Sequence, residues 1–408
     1  MSIPRYGQAI VHQIMVNGVD ITQSLKMLYT GSSILTPFLF SKLHINDASS
    51  IQDALYESGV PIKLVYTAGD GSTMRELSLL SMANRAGVKN DNGRSGVTEL
   101  SAVSESYFNM HNDHSSYHQN IPASDALKKL HKELDPNGSL TVTKSKGMIA
   151  DREPYHLRSV PLGKGIQMIR GRMTDEKYNS GAYTYFCDHE GKYTAKPIEQ
   201  LFAEAAGPTF TNKVGGSNFL HDEQTMGKNI FAYEKGGMGQ DSGSDNATQY
   251  RHTLKQKGGD AGTGFNWQTM KYKTPSAKDY SQGQFPGKTN WNGPKAKGPT
   301  QTNNKFNYDP NQKKQEDFEG SKANQNVAAA MAMQGSMTIN MPLEGGLGVK
   351  VGQGCYLDLP GESGDQGRTS SSAGGQHLVL AQGEYISLGD DGMTGTSSLH
   401  TASGGRRQ

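Results

Sequence analysis

Four short stretches of this chain hold side chains with chemical potential. The first is HNDHSSYH, which offers His111, Asp113, His114 and His118, all donors that a metal ion accepts. No carboxylate or thiolate follows at a diagnostic spacing, and Asn112–Ser116 has turn composition, so the stretch reads as a solvated loop. The second, Asp241-Ser-Gly-Ser-Asp245-Asn246, lacks both the D-x-D-x-D-G order and the distant Glu of a calcium loop and reads as a turn. The third is GGLGVKVG, from Gly345 to Gly352. A phosphate-cradling loop needs a helix N-terminus after it, and the pattern here is strand on both sides, so a hairpin is expected. The fourth, Cys187-Asp188-His189, sets a thiol beside a base. Adjacent strand residues point to opposite faces, which keeps the two from aligning as nucleophile and base. No nucleophile elbow, walled carboxylate pair or zinc-protease helix appears elsewhere. The reading is a protein without catalytic residues, metal or cofactor.

The elements that would position these groups are mainly strands. In IMVNGVDIT, Asn17-Gly18 between Val16 and Val19 is a two-residue hairpin signal. After Pro37, FLFSKLHI alternates, with Leu39, Ser41, Leu43 and Ile45 on one face and Phe38, Phe40, Lys42 and His44 on the other. Asp47 caps a short helix carrying Ile51, Ala54 and Leu55, and IKLVY and MRELSLLSM continue as strands around Gly69-Asp70-Gly71. This is the pattern of a small barrel or sandwich. Beyond Tyr107 the pattern changes. ASDALKKLHKEL predicts a helix with Ala126, Leu127, Leu130 and Leu134 as its apolar stripe, stopped at Asn137-Gly138. GIQMIRGRM predicts a second helix, and AYTYFCDHEGKYTA a hairpin turning over Asp188–Gly191. SMTINMPL, GVKVGQGCYLDLP and HLVLAQGEYISL read as closing strands of a second barrel, and the tail after Gly392 as frayed.

Between Leu254 and Val327 there is no Leu, Ile or Val. The stretch is Gly, Asn, Gln, Lys and Pro, punctuated by Phe265, Trp267, Tyr272, Tyr280, Phe285, Trp291, Phe306, Tyr308 and Phe318. One reading is a linker. Linkers are poor in aromatics, however, and isolated rings on a polar chain suit an extended arm anchoring into pockets of a partner surface. The arm is the better reading, with these nine rings as its interface anchors.

The 408 residues and 44.1 kDa point to more than one domain. The 34% hydrophobic content, 50 glycines and mean hydropathy of -0.65 favour turns and extended segments that bury themselves partly on assembly. A net charge of +2 does not favour specific nucleic-acid recognition. Two distant cysteines, Cys187 and Cys355, fit a reducing cytoplasm. No apolar run approaches the ~20 residues of a membrane span, and the N-terminus lacks the pattern of a signal peptide. The expected fold is α+β, mainly β: a barrel over 1–106, an α+β unit over 107–205, a second barrel from 206–254 plus 327–408, and the arm over 255–326.

NGVDIT, TPFLFSKLHINDASSIQDAL and PIKLVY together resemble the opening barrel of baseplate hub proteins from contractile phage tails. Ser41 stands where that family commonly has glycine. Val103–Ser106 with Tyr107, SDALKKLHKEL, PLGKGIQMIRGRM and YTYFCDHEGKYTAKPIEQLF follow in the family's order, so the likeness covers residues 10–235. The aromatics common around the PLGKGIQMIRGRM helix are missing. The resemblance implies a homotrimer whose six barrels adapt a sixfold tail tube to a trimeric spike. Its implied partners are the tube, the spike, other baseplate subunits and the tape-measure protein, in a virion assembled in the host cytoplasm. A cell-wall hydrolase using His111–His118, or a spike-type effector carrier, is the alternative.

Overall fold

The computed structural model describes residues 7–47, 57–69, 71, 73–88, 96–145, 148–149, 155–171, 173, 175, 183–212, 228–236, 263–266, 271–273, 305–307, 336–359, 374–389 and 392–403. The helix expected near Ile51–Leu55 and the Asp241–Asn246 turn lie outside them.

The protein is mainly β, and most of its strands belong to one sheet. The N-terminal part contributes β1 (Ala9–Val16), β2 (Val19–Asp20), β3 (Leu25–Ser33), β4 (Phe40–Asp47), β5 (Pro61–Ala68), β6 (Met74–Val88) and β7 (Gly96–Val103). Their order in the sheet is β3-β4-β7-β6-β5-β1-β2. The β1–β2 turn is the one the sequence predicts. Val16 pairs with Val19, and Asn17 and Gly18 take φ of +50° and +79°, the left-handed pair whose twist matches the flanking strands. Leu39, just before β4, and Ser41, Leu43 and Ile45 on it are all buried while Lys42 is exposed, so the period-2 reading holds.

An α+β unit follows. Helices α1 (Glu105–His111), α2 (Ala123–Leu134), α3 (Leu162–Arg170) and α4 (Ile198–Ala203) accompany the pairs β8 (Asp113–His118) with β12 (Tyr155–Pro161) and β9 (Ile121–Pro122) with β11 (Met148–Ile149). A three-stranded sheet joins β10 (Leu140–Val142), β14 (Tyr193–Ala195) and β13 (Phe186–Cys187). The predicted stripe Ala126, Leu127, Leu130 and Leu134 is buried against Ile166, Ile169 and Tyr185.

The remaining strands are β15 (Thr209–Thr211), β16 (Ala232–Gly236), β17 (Thr263–Asn266), β18 (Lys271–Lys273), β19 (Lys305–Asn307), β20 (Ser336–Pro342), β21 (Gly354–Asp358), β22 (Gly375–Gly389) and β23 (Gly392–Ser403). Of these, β22 is the joint. Its first residues pair with β21, and after a register shift between Val379 and Ala381 it pairs with β3, from Ala381–Ser33 to Ser387–Met27. β23 runs along β22 and carries β20 and then β16 on its other edge. Gln8 also bridges Thr394, and the Gly395 N–H donates to the Gly7 carbonyl at 2.7 Å, bringing the last strand against the start of the first.

Two expectations are corrected. The tail expected to fray after Gly392 is, over residues 392–403, the twelve-residue β23. Its inward positions Gly395, Ser397, Leu399 and Thr401 are mostly small, and so show little apolar signal. Their smallness lets the short helix α5 (Leu343–Leu347) lie on the strand: a Cβ on Gly395 would press on Leu343 and Ala9, and one on Gly346 would overlap Ser397. That helix is the second correction, because the Gly345–Gly352 stretch begins as helix, not as hairpin. Leu343 and Leu347, one turn apart, both enter the core of the N-terminal strands.

Candidate functional site

The chemistry-bearing residues named from sequence do not converge. His111 ends α1, with its Nδ1 2.8 Å from the Tyr107 carbonyl. Asp113–His118, read as a loop, is strand β8, held by backbone pairing to β12 rather than by an apolar face. His114 and His118 lie four residues apart on it, about 13 Å at the ordinary strand rise, too far to share an ion. His118 Nε2 is 2.9 Å from Ser116 Oγ, and burial pushes its pKa down. Asp113 accepts from Ser159 Oγ at 3.2 Å. Among the described residues no group of three His, Cys, Asp or Glu side chains could hold a metal.

Cys187, Asp188 and His189 do three separate jobs. Burial pushes the Cys187 thiol up to about 12, away from nucleophile chemistry. Asp188 Oδ1 accepts from the N–H groups of Glu190 and Lys192 at 2.9 and 3.0 Å, which holds the predicted hairpin turn in place. His189 is 5% exposed and packs against the main sheet, its Nδ1 3.1 Å from Ser32 Oγ on β3.

The densest polar constellation escaped the search for motifs. Glu384 on β22 is 1% exposed. Its Oε1 accepts from Arg75 Nε at 3.2 Å, Arg75 Nη2 at 3.1 Å and Gln382 Nε2 at 3.0 Å, and its Oε2 accepts a short hydrogen bond from Tyr66. Thr30 Oγ1 sits 3.0 Å from the Tyr66 hydroxyl. Arg75 Nη2 also donates to the Leu347 carbonyl, and Gln382 Nε2 to that of Gly346, so both satisfy the last carbonyls of α5. Burial works to raise the Glu384 carboxyl. The charges of His189 and Arg75 and the bonds from Tyr66 and Arg75 overcome it and hold the group below its ordinary value. Burial and the adjacent carboxylate push Tyr66 well up. Burial likewise keeps His189 below the ordinary imidazole value.

A phase test along the strands finds this network. Arg75 is in phase with buried Leu77 and Leu79, Tyr66 with Leu64 and Ile62, and Glu384 with Ile386. A charged residue at a core-phase position requires a buried partner. The network joins residues 66 and 75 to 347, 382 and 384, so it fastens the C-terminal hairpin to the N-terminal strands.

Of the nine arm anchors, Phe265, Tyr272 and Phe306 fall on the three-stranded sheet of β17, β18 and β19. There Phe265 pairs with Tyr272, and Gly264 with Phe306. Trp267, Tyr280, Phe285, Trp291, Tyr308 and Phe318 lie outside the described residues.

Two solved structures share this fold along nearly the whole chain. The tail protein from Neisseria meningitidis MC58 superposes with a TM-score of 0.56 at 12% identity, covering 97% of each chain. The 43 kDa tail protein of prophage MuSo2 from Shewanella oneidensis gives 0.52 at 9% identity, covering 97% of this chain and 98% of its own. No protein-family model and no curated protein sequence matches. The chain is therefore structurally similar to phage tail proteins.

Proposed function

We propose that this protein is a structural subunit of a contractile tail, a baseplate hub that forms a trimeric ring between a sixfold tube and a trimeric spike and lines the channel through both. The observation that carries the reading is end-to-end correspondence in fold with two tail proteins, at lengths that agree within a few per cent. The strand circuit supports it. In our reading β1, β5, β6, β7, β4, β3, β22 and β23 return to β1 through Gln8–Thr394 and form one tube-like barrel. Strands β15, β21, β22, β23, β20 and β16 form the other. In this reading the C-terminal hairpin, assigned from sequence to the second barrel alone, serves both. Two barrels per subunit give six in a trimer, which is the geometry a threefold-to-sixfold adaptor needs. Exposed apolar side chains such as Phe231, Tyr385 and Leu388 would be covered in such a ring. Enzymatic activity has no place in this role, and the hydrolase reading is not favoured by the spacing of His114 and His118.

Light scattering on the purified chain tests the assignment. A species near three times 44.1 kDa, alone or with tube or spike protein added, is expected; a monomer that binds neither would overturn it. In the same assay, Trp291→Ala is expected to weaken association by about 2 kcal/mol, as loss of an aromatic anchor does, with monomer folding unchanged.

A further inference from the structure

A cleft of about 420 Å³ opens between the main sheet and the α+β unit. Its walls carry Glu76 from β6, Glu105 from the start of α1, Asp135 from the end of α2 and Glu190 from the hairpin turn. Two of these carboxylates are neutralised locally. Glu76 meets Lys63 at 2.6 Å, and Glu190 meets Lys192 at 2.8 Å and Lys350 at 2.6 Å. Glu105 and Asp135 have no lysine or arginine partner among the described residues; the hydrogen bond that Asp135 Oδ1 accepts from the Asn137 N–H is neutral.

A second observation is independent of the acidic walls. The His189 imidazole lines the cleft at 5% exposure, and its Nε2 has no hydrogen-bond partner among the described residues. In the tautomer that donates Nδ1–H to Ser32 Oγ, Nε2 is a buried acceptor. Burial pushes the imidazole pKa down, against the pull of Glu384. Carboxylates that have neutral partners but no lysine or arginine among the described residues, Asp135 with Asn137 and Tyr193, share the cleft with that nitrogen, and an ammonium group, which only donates, suits both.

The chain itself holds such a ligand in excess. Residues 255–314 contain eleven lysines against Asp260, Asp279 and Asp309, a net +8. The whole chain nets +2, so the remainder nets -6. This separation of charge within one sequence favours contact between the two parts.

We propose that the cleft bounded by Glu105, Asp135 and His189 receives a lysine side chain from the basic segment 255–314 of this protein. The contact deepens the anchoring role given to the arm by adding a charged docking point to its aromatic ones.

Zero-length carbodiimide cross-linking of the full-length protein, read by peptide mass spectrometry, tests it. Glu76–Lys63 and Glu190–Lys350 links serve as internal controls. The expected result adds links from Glu105 or Asp135 to lysines within 255–314. Glu105→Lys should reduce the Asp135 links at least fivefold in a chain whose circular dichroism is unchanged. If Glu105→Lys alters the fold, Glu105→Gln replaces it with the same expectation. Control links without any from Glu105 or Asp135 to that segment would falsify the proposal, as would Asp135 links indifferent to the charge at 105. Oligomeric mass is measured on the same samples, which separates this claim from the hub reading. A trimer lacking these links sinks the docking point alone, and a linked monomer sinks the hub alone.

Discussion

Arg75 and Glu384 show what a single buried pair does here. Their side chains are 6% and 1% exposed, so neither charge has water to fall back on. Removing one partner leaves the other buried and uncompensated, which costs about 3–5 kcal/mol. Arg75→Met is expected to lower unfolding free energy by that amount in urea titration; a loss under 1 kcal/mol would mean the pair is dispensable. The same network sets a pH dependence. Folding holds His189 below its usual pKa, so the unfolded chain binds its proton first as pH falls through about 6.5, and stability declines from there. Glu384 is also lowered, so its contribution is present above about 4.5 and is lost as pH falls through its folded value. Melting temperature should therefore fall in two stages between pH 7 and pH 3. His189→Asn should reduce the upper stage only, leaving the part due to His118, His131 and His400, whose burial also pushes their pKa down.

At the scale of elements, α2 and β23 sit at opposite ends of legibility. The apolar positions of α2 recur at helical spacing, and the helix forms over the predicted residues, 123–134. Leu130, 1% exposed in the core of the α+β unit, is expected to cost about 2–5 kcal/mol when cut to Ala, measured by chemical denaturation. β23 gave almost no signal. Its inward side chains are small because a helix rests on them, and that requirement comes from Leu343 and Gly346, some fifty residues earlier. Glu384 was hidden differently. Its charge lies within a strand pattern that was plain, and only its phase relative to Ile386 marks it as a core residue.

For the molecule as a whole, the termini are interdependent. The core of the N-terminal strands includes Leu343, Leu347 and Ile386, and Glu344 accepts from the Gly7 N–H at 3.1 Å. Deleting residues 390–408 removes β23, and with it the partner of β20, the second edge of β22 and the bridge to Gln8. The expectation is global loss of the fold, seen as insolubility or as collapsed hydrogen-exchange protection in β1, β5 and β6. Protection confined to those N-terminal strands and equal to that of the full chain would show that they stand alone.

By itself the sequence determined what depends on local spacing. The Asn17-Gly18 turn, the alternating face of β4, the stripe of α2 and the Asp188–Gly191 hairpin each follow from periodicity or turn chemistry within a few residues. The tertiary structure alone decided that β22 divides its length between two sets of strands. Only there does a glutamate 309 residues from Arg75 become its partner. Pairing across that separation is set by which edges meet in space, and no local pattern encodes that choice.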